Sequence, residues 1–114
     1  MIVGLDFDET YTRDPETWDK VIAVLRAARH TVYCVTMRYP GLEESLEVSS
    51  QLNGKVDACF FTGRKGKRDF MYAQGINVHV WIDDMPDAII MDFHPHKVSE
   101  SEGQGLWVPG SSAT

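Results

Sequence analysis

The sequence predicts an α/β fold built around a central parallel sheet. Four short apolar runs recur along the chain, and a segment of helical character follows each of them. The runs are rich in β-branched and aromatic residues, which favours buried strands. Strands that alternate with helices form a parallel sheet with right-handed crossovers. The four runs are IVGL (2–5), TVYCV (31–35), VDACFF (56–61) and VHVWI (78–82).

The segments between these runs carry helix signals. In DPETWDKVIAVLRAARH (14–30), a proline stands near the first turn, where its missing N–H costs nothing. One face of this predicted helix is apolar, through Trp18, Val21, Ile22 and Leu25. Three shorter helices are predicted in GLEESLEVSSQLNG (41–54), KRDFMYAQG (67–75) and PDAIIMDF (86–93). Asn53-Gly54 and Gly75 are the expected stop signals of the first two.

Length and composition predict one domain with a tail. A chain of 114 residues can bury one core but not two. The domain is expected to occupy residues 1–96. From about Lys97 the residues become polar and small, which predicts a mobile tail over 97–114. Within that tail, LWV (106–108) is the segment that would dock on the body or on a partner.

Charge and hydropathy exclude several classes of partner. No apolar run approaches the length of a membrane span, and Met1 leads directly into the first strand, so we expect a cytoplasmic protein with no membrane contact. The net charge of −6 argues against an extensive nucleic-acid surface. Four of the eleven basic residues cluster in RKGKR (64–68), which suits one small anion.

Cys34 and Cys59 lie inside apolar runs and are predicted to be buried free thiols.

Polar residues follow three of the predicted strands directly. Asp6, Thr36 and Asp83 each stand at the carboxyl end of an apolar run, with Asp8 and Asp84 close by. Any one of them alone would be a helix cap, but parallel strands bring their carboxyl ends to one edge, where ligands bind. Clustered carboxylates repel each other unless a cation relieves the repulsion. All-oxygen ligation favours Mg²⁺, which bonds to substrate phosphate, and the nearby basic cluster suggests phosphoryl chemistry.

Four short motifs resemble those of the haloacid dehalogenase (HAD) superfamily. DFDET (6–10) matches the DxDxT motif, and TVYCVT (31–36) resembles the second motif, an apolar run ending in Thr or Ser. Lys67 resembles the third, with Lys65 as the alternative, and VWIDDMPD (80–87) resembles the fourth. The resemblance covers about residues 1–90 and implies a Rossmann-like three-layer sandwich. No room remains for the inserted cap domain that superfamily members usually carry.

The resemblance also implies catalytic roles. Asp6 would attack phosphorus and form an aspartyl-phosphate, and Asp8 would act as general acid and then as general base. Thr36 would donate its hydroxyl to a phosphoryl oxygen. Lys67 would neutralise the charge of the phosphate and the nucleophile.

The remaining implied roles concern the metal and the rim of the site. The implied Mg²⁺ ligands are Asp6, the backbone carbonyl of Asp8, and Asp83, with Asp84 acting directly or through water. Thr10 is expected to brace the turn at Asp8. Arg38 and Arg64 are either substrate contacts on the rim or solvated surface charges.

These inferences predict a Mg²⁺-dependent phosphomonoesterase, a phosphoric monoester hydrolase acting on a nucleotide, a sugar phosphate or another phosphorylated substrate. An acid two residues after the nucleophile marks the phosphatases and phosphotransferases of the superfamily. Without a cap, the site would be closed by a large substrate, by homo-oligomerisation or by the tail. Two alternatives stay open: a phosphatase of polynucleotide ends, and a HAD-like module that binds a phosphorylated ligand without turnover.

Overall fold

A computed structural model describes residues 1–93 and contains one four-stranded sheet in which every neighbouring pair is parallel. The predicted α/β class with a parallel sheet is therefore confirmed. The strands run in the order β3-β2-β1-β4. Their bounds are Ile2–Leu5 (β1), Thr31–Thr36 (β2), Ala58–Phe61 (β3) and Val80–Ile82 (β4).

The last two strands begin two residues later than predicted because side chains replace backbone groups at their start. Before β3, the backbone N–H of Asp57 donates to the carbonyl of Val32, and the carboxylate of Asp57 accepts from the N–H of Val32 at 2.8 Å. Before β4, the N–H of His79 donates to the carbonyl of Ile2, and His79 Nδ1 accepts from the N–H of Ile2 at 2.9 Å. Each pairing satisfies a backbone N–H of the neighbouring central strand with a side-chain atom.

Helices connect the strands close to the predicted positions. They are Pro15–Ala27 (α1), Leu42–Leu52 (α2), Lys67–Ala73 (α3) and a single turn, Asp87–Ile90 (α4), and a 3-10 turn over Tyr11–Arg13 precedes α1. The Asp14 carboxylate caps α1 by accepting from the N–H of Thr17 at 3.3 Å. Gly54 and Gly75 adopt φ of +81° just beyond α2 and α3, as their predicted role as stop signals requires.

The core lies between the sheet and the helices that pack on it. The stacked rings of Phe7 and Tyr11, 5.9 Å apart, join it at the end of β1. Cys34 is buried and Cys59 is half-buried because β3 is an edge strand; both are free thiols, as predicted. The fully buried apolar residues of this cluster are Val3, Leu5, Phe7, Tyr11, Ile22, Val32, Cys34, Val48 and Leu52.

The order of the strands marks where a ligand would bind. The chain runs outward from β1 through β2 to β3 and then returns to place β4 on the other side of β1. In sheets of this kind, the crevice lies outside the carboxyl ends of the strands where the order reverses, here β1 and β4. Within residues 1–93, only short segments lie between Asp8 and α1 and between β3 and α3, and neither holds an inserted domain.

Three predictions concern regions beyond this core. The last residues of the predicted domain (94–96), the predicted tail over 97–114 and its docking segment LWV (106–108) lie outside the described residues. No helix in residues 1–93 is long and apolar enough to cross a membrane.

Candidate functional site

A buried lysine bridges two of the predicted site carboxylates. Lys67, the first residue of α3, places Nζ 2.8 Å from Asp6 Oδ1 and 2.6 Å from Asp83 Oδ2. The lysine is 1% exposed and Asp6 is 8% exposed, so these charges are largely removed from water. The bridge joins the ends of β1 and β4 to the start of α3. Lys65 is exposed to solvent, which makes Lys67 the lysine of this site.

The pKa values of this cluster follow from burial and from the neighbouring charges. Burial raises the pKa of Asp6 to about 7; the Lys67 ammonium acts in the opposite direction, and Asp83 adds to the increase. Burial alone would lower the pKa of Lys67, but Asp6 and Asp83 together raise it above its ordinary value. Lys67 is therefore a permanent cation between two carboxylates.

Thr10 connects the two acidic ends of the site. Its Oγ1 lies 3.0 Å from Asp6 Oδ2 and 3.1 Å from Asp84 Oδ1, and it accepts the backbone N–H of Asp84 at 3.1 Å. One hydroxyl has one proton, so it donates to one of the two carboxylates at a time. Thr10 braces the turn that contains Asp8, as predicted, because its bond to Asp6 spans residues 6–10. The same hydroxyl also joins Asp6 to Asp84, which was not predicted.

Three carboxylates are arranged so that they could hold a cation. Asp6, Asp83 and Asp84 each offer an oxygen, and these oxygens lie within 4.8 Å of one another. Asp83 is further oriented by the backbone N–H of Met85, which donates to its Oδ1 at 2.9 Å. A set of hard oxygen donors with few protein ligands fits Mg²⁺, which keeps several waters. The carboxylate of Asp8 is outside this group.

Asp8 is not part of this carboxylate group because its side chain is paired with Arg38. Arg38 Nε and Nη2 each donate to one oxygen of Asp8 at 2.9 Å, a two-point ion pair. Arg38 Nη1 donates to Glu47 Oε1 of α2 at 2.7 Å, and the guanidinium lies 5.2 Å from the ring centre of Phe7. Hydrogen bonding to Asp8 raises the pKa of Arg38 above its ordinary value. This contact, which the sequence did not indicate, shows that Arg38 is not a free surface charge.

The remaining predicted residues lie around the same pocket. Thr36, the last residue of β2, is 1% exposed and accepts the backbone N–H of Arg38 on Oγ1 at 3.3 Å. Arg64 Nε donates to the backbone carbonyl of Phe93 at 3.1 Å. The Arg64 backbone has φ of +75°, which is strained for a residue with a side chain.

The pocket has a volume of about 680 Å³ and a strongly acidic lining. All eight predicted site residues line it, although they come from every strand end of the sheet. Sequence reasoning missed its apolar side, because Met37, Tyr39 and Phe93 lie in none of the four motifs and Met85, although it lies within VWIDDMPD, was given no role. Six carboxylates and three basic side chains face this space: Asp6, Asp8, Glu9, Glu44, Asp83, Asp84, Arg38, Arg64 and Lys67.

Fold and pocket together define an α/β protein with a buried lysine–carboxylate cluster at the switch point of a parallel sheet. Comparison of the chain with models of known protein families, with curated proteins and with solved structures found no match in any of the three.

Proposed function

We propose that the protein is a capless HAD-type phosphomonoesterase that depends on Mg²⁺ and works through an aspartyl-phosphate on Asp6. The observation that carries the proposal is the Lys67 ammonium between Asp6 and Asp83. The HAD resemblance assigns a role to each of these three residues, and the fold brings them into direct contact from distant parts of the chain.

The burial of this cluster favours a functional role over a structural one. Taking charges out of water costs several kcal/mol per ion, and apolar residues of similar volume often stabilise a core as well or better. The site also contains more carboxylates than its cations can balance. Strongly perturbed, buried titratable groups in a pocket are typical of active sites.

The acidic excess is consistent with a bound cation. A phosphate dianion would be repelled by six carboxylates that only three basic side chains oppose. Asp6, Asp83 and Asp84 fit as carboxylate ligands of Mg²⁺, and the resemblance adds the backbone carbonyl of Asp8. Mg²⁺, when bound, neutralises phosphoryl charge and orients the phosphate.

In the proposed first step, Asp6 attacks the phosphorus atom. A carboxylate oxygen of Asp6 forms the new bond to phosphorus, and the bond from phosphorus to the ester oxygen breaks. Lys67 stabilises the negative charge around Asp6, and Thr36 donates a hydrogen bond to a phosphoryl oxygen. Thr10 orients the Asp6 carboxylate when its hydroxyl donates to Asp6 Oδ2, 3.0 Å away.

Asp8 handles the proton in both steps. Its carboxylic acid gives a proton to the departing ester oxygen, and its carboxylate then takes a proton from the water that attacks the aspartyl-phosphate. This water releases inorganic phosphate and restores Asp6. Asp8 must leave at least one of its two contacts with Arg38 to reach the ester oxygen. One guanidinium N–H of Arg38 can then donate to the substrate, while Glu47 still holds Nη1.

One observation favours a second candidate, a module that binds a phosphorylated ligand without turnover. Both oxygens of Asp8 are held by Arg38, which Glu47 fixes from the other side. If this pair persists when the ligand binds, no acid reaches the ester oxygen.

The experiment is phosphate release from p-nitrophenyl phosphate and a panel of phosphomonoesters, with Mg²⁺ and with chelator. Wild-type turnover should require Mg²⁺, and Asp6→Asn should reduce it to background. Asp69→Asn, the same change at an exposed carboxylate of α3, is the matched control and should match the wild type. Mass spectrometry of acid-quenched protein should find phosphate on Asp6.

Two results would overturn the phosphatase. Turnover that survives Asp6→Asn would remove Asp6 as the nucleophile. A wild-type protein that binds inorganic phosphate with Mg²⁺ in calorimetry but hydrolyses no ester would support the binding module instead.

A further inference from the structure

One side of the pocket takes no part in the proposed chemistry. It is formed by Tyr39, Arg64 and Phe93, and we refer to it as the aromatic wall. Gly63, which precedes Arg64, lies against the Tyr39 ring. The Lys67 cluster lines the same pocket. The wall joins three loops that are distant in sequence, and each of them is held by identifiable contacts.

Tyr39 is positioned by a close approach to the backbone of the turn. A Cβ atom at Gly63 would lie 3.3 Å from Cδ1 of the Tyr39 ring, and Gly63 adopts φ of +63°. Glycine is favoured here both by the close contact and by the positive φ. The backbone N–H of Tyr39 donates to Glu44 Oε1 at 3.1 Å, which fixes the loop to α2. The tyrosine is nevertheless 45% exposed, which leaves much of its ring available to a ligand.

Arg64 is held in a strained conformation at the centre of the wall. Its N–H donates to the carbonyl of Met37 at 2.9 Å, and its carbonyl accepts the N–H of Phe93 at 2.7 Å. Its Nε donates to the carbonyl of Phe93 at 3.1 Å, and the residue lines the pocket. Backbone strain in a residue that lines a pocket points to a functional constraint on that residue.

The three basic side chains of the pocket differ in their partners. Lys67 contacts two carboxylates, and so does Arg38. No ion pair within residues 1–93 includes Arg64. Its planar guanidinium therefore has no acidic partner there, although six carboxylates line the same pocket.

We propose that the aromatic wall binds the base of a nucleoside monophosphate whose phosphate lies at the Asp6–Lys67 cluster. This rests on the proposed function, because it names the substrate class of the same site. Aromatic rings and arginine planes are the surfaces on which proteins stack nucleobases. The pocket volume of about 680 Å³ lies in the usual range for small-molecule sites. The acidic remainder of the lining disfavours a long polyanion.

The first test compares adenosine 5′-monophosphate with ribose 5-phosphate, which has the same sugar phosphate but no base. With Mg²⁺, kcat/KM for the nucleotide should exceed that for ribose 5-phosphate roughly 5- to 150-fold, the size of one base–aromatic stack. Equal values for the two substrates would overturn base binding while leaving the phosphatase intact.

Variants of the wall then identify its residues. Tyr39→Ala should remove most of the difference in kcat/KM between the nucleotide and ribose 5-phosphate. Tyr39→Phe, which keeps the ring, should retain this difference. Arg64→Lys keeps the charge and the strained backbone but loses the planar guanidinium, so it should also reduce the preference. Tyr72→Ala, at an exposed α3 residue that is not part of the pocket lining, should match the wild type. A preference that survives both Tyr39→Ala and Arg64→Lys would overturn the proposal.

Two further measurements distinguish the remaining outcomes. Calorimetry with adenosine, which has no phosphate, tests the wall without catalysis: binding that Tyr39→Ala weakens would support the wall even in a protein that hydrolyses nothing. Absence of adenosine binding together with equal turnover of the two phosphates would overturn it. A 5′-phosphorylated trinucleotide tests whether the base belongs to a free nucleotide or to the end of a strand. If the trinucleotide is hydrolysed more slowly than the mononucleotide, the substrate is a free nucleotide; if it is hydrolysed faster, the substrate is a strand end.

Discussion

Replacing Lys67 by methionine tests the central feature of the site. Methionine has a similar length and no charge, so the change removes the cation and leaves Asp6 and Asp83 buried beside each other. Lys65→Met is the matched control, because Lys65 carries the same side chain two positions earlier and is exposed. The two variants differ in burial and partners but share the same chemical change.

The size of the effect follows from what each lysine contacts. Lys67 makes ion pairs of 2.8 and 2.6 Å with side chains that are 9% and 2% exposed. Removing one partner of a buried pair costs about 3–5 kcal/mol, because it leaves an uncompensated buried charge. That is a large part of the roughly 5–15 kcal/mol that stabilises a typical domain. Lys65→Met should stay within about 0.5 kcal/mol.

The assay is urea unfolding at pH 7.5 without divalent cations, followed by tryptophan fluorescence. The double variant Lys67→Met/Asp83→Asn should recover part of the lost free energy of unfolding, because it removes one of the two repelling charges. Added Mg²⁺ should stabilise Lys67→Met by about 2.7 kcal/mol at 100 times its Kd. Free energies for Lys67→Met and Lys65→Met within 1 kcal/mol of each other would refute the reasoning.

Two further predictions concern the fold around the site. Gly4→Ala should lower stability by about 1–3 kcal/mol in thermal unfolding, because the new Cβ would lie 2.7 Å from a ring atom of Trp81; an unchanged melting temperature would mean that the ring moves aside freely. Tyr11→Phe should cost about 1 kcal/mol at pH 7, because it removes the 2.7 Å hydrogen bond to Asp19 and the oxygen that accepts from Lys55. The Tyr11 hydroxyl holds the pKa of Asp19 below its ordinary value, so the Asp19 contribution is present above the unfolded pKa of Asp19 and is lost as pH falls through its folded pKa. Denaturation at pH 7 and pH 3 should therefore show a smaller effect of Tyr11→Phe at pH 3, and an equal effect at both would refute this assignment.

The strand ends were the most predictable part of the site. Asp6, Thr36 and Asp83 directly follow apolar runs, and parallel strands necessarily bring their carboxyl ends to one edge of a sheet. Their approach to a common pocket could therefore be predicted without coordinates. The strand starts at Ala58 and Val80 could not, because side chains of Asp57 and His79 replace backbone partners there.

Side-chain pairing across the pocket depended on the tertiary structure. Asp8 and Arg38 are thirty residues apart, and either could have faced solvent without changing any sequence pattern. Their two-point contact arises because the loop after β2 lies beside the loop after β1, with the guanidinium over Phe7. The same holds for Arg64, whose positive φ depends on hydrogen bonds to Met37 and Phe93.

The sequence by itself determined the alternation of strands and helices, and with it the edge of the sheet where the acidic residues meet. It favoured Lys67, which opens the predicted helix, and kept Lys65 of the same short basic run as the alternative. The tertiary structure decided between them by burial, since Lys67 lies inside the protein against Asp6 and Asp83 and Lys65 is exposed. Gly66, the residue before the helix, is packed tightly against the end of α4: a Cβ there would lie 3.2 Å from the backbone nitrogen of Met91, and the Gly66 N–H donates to Asp92 at 2.7 Å. This packing holds the chain directly before α3, whose first residue is the lysine that lies inside the protein.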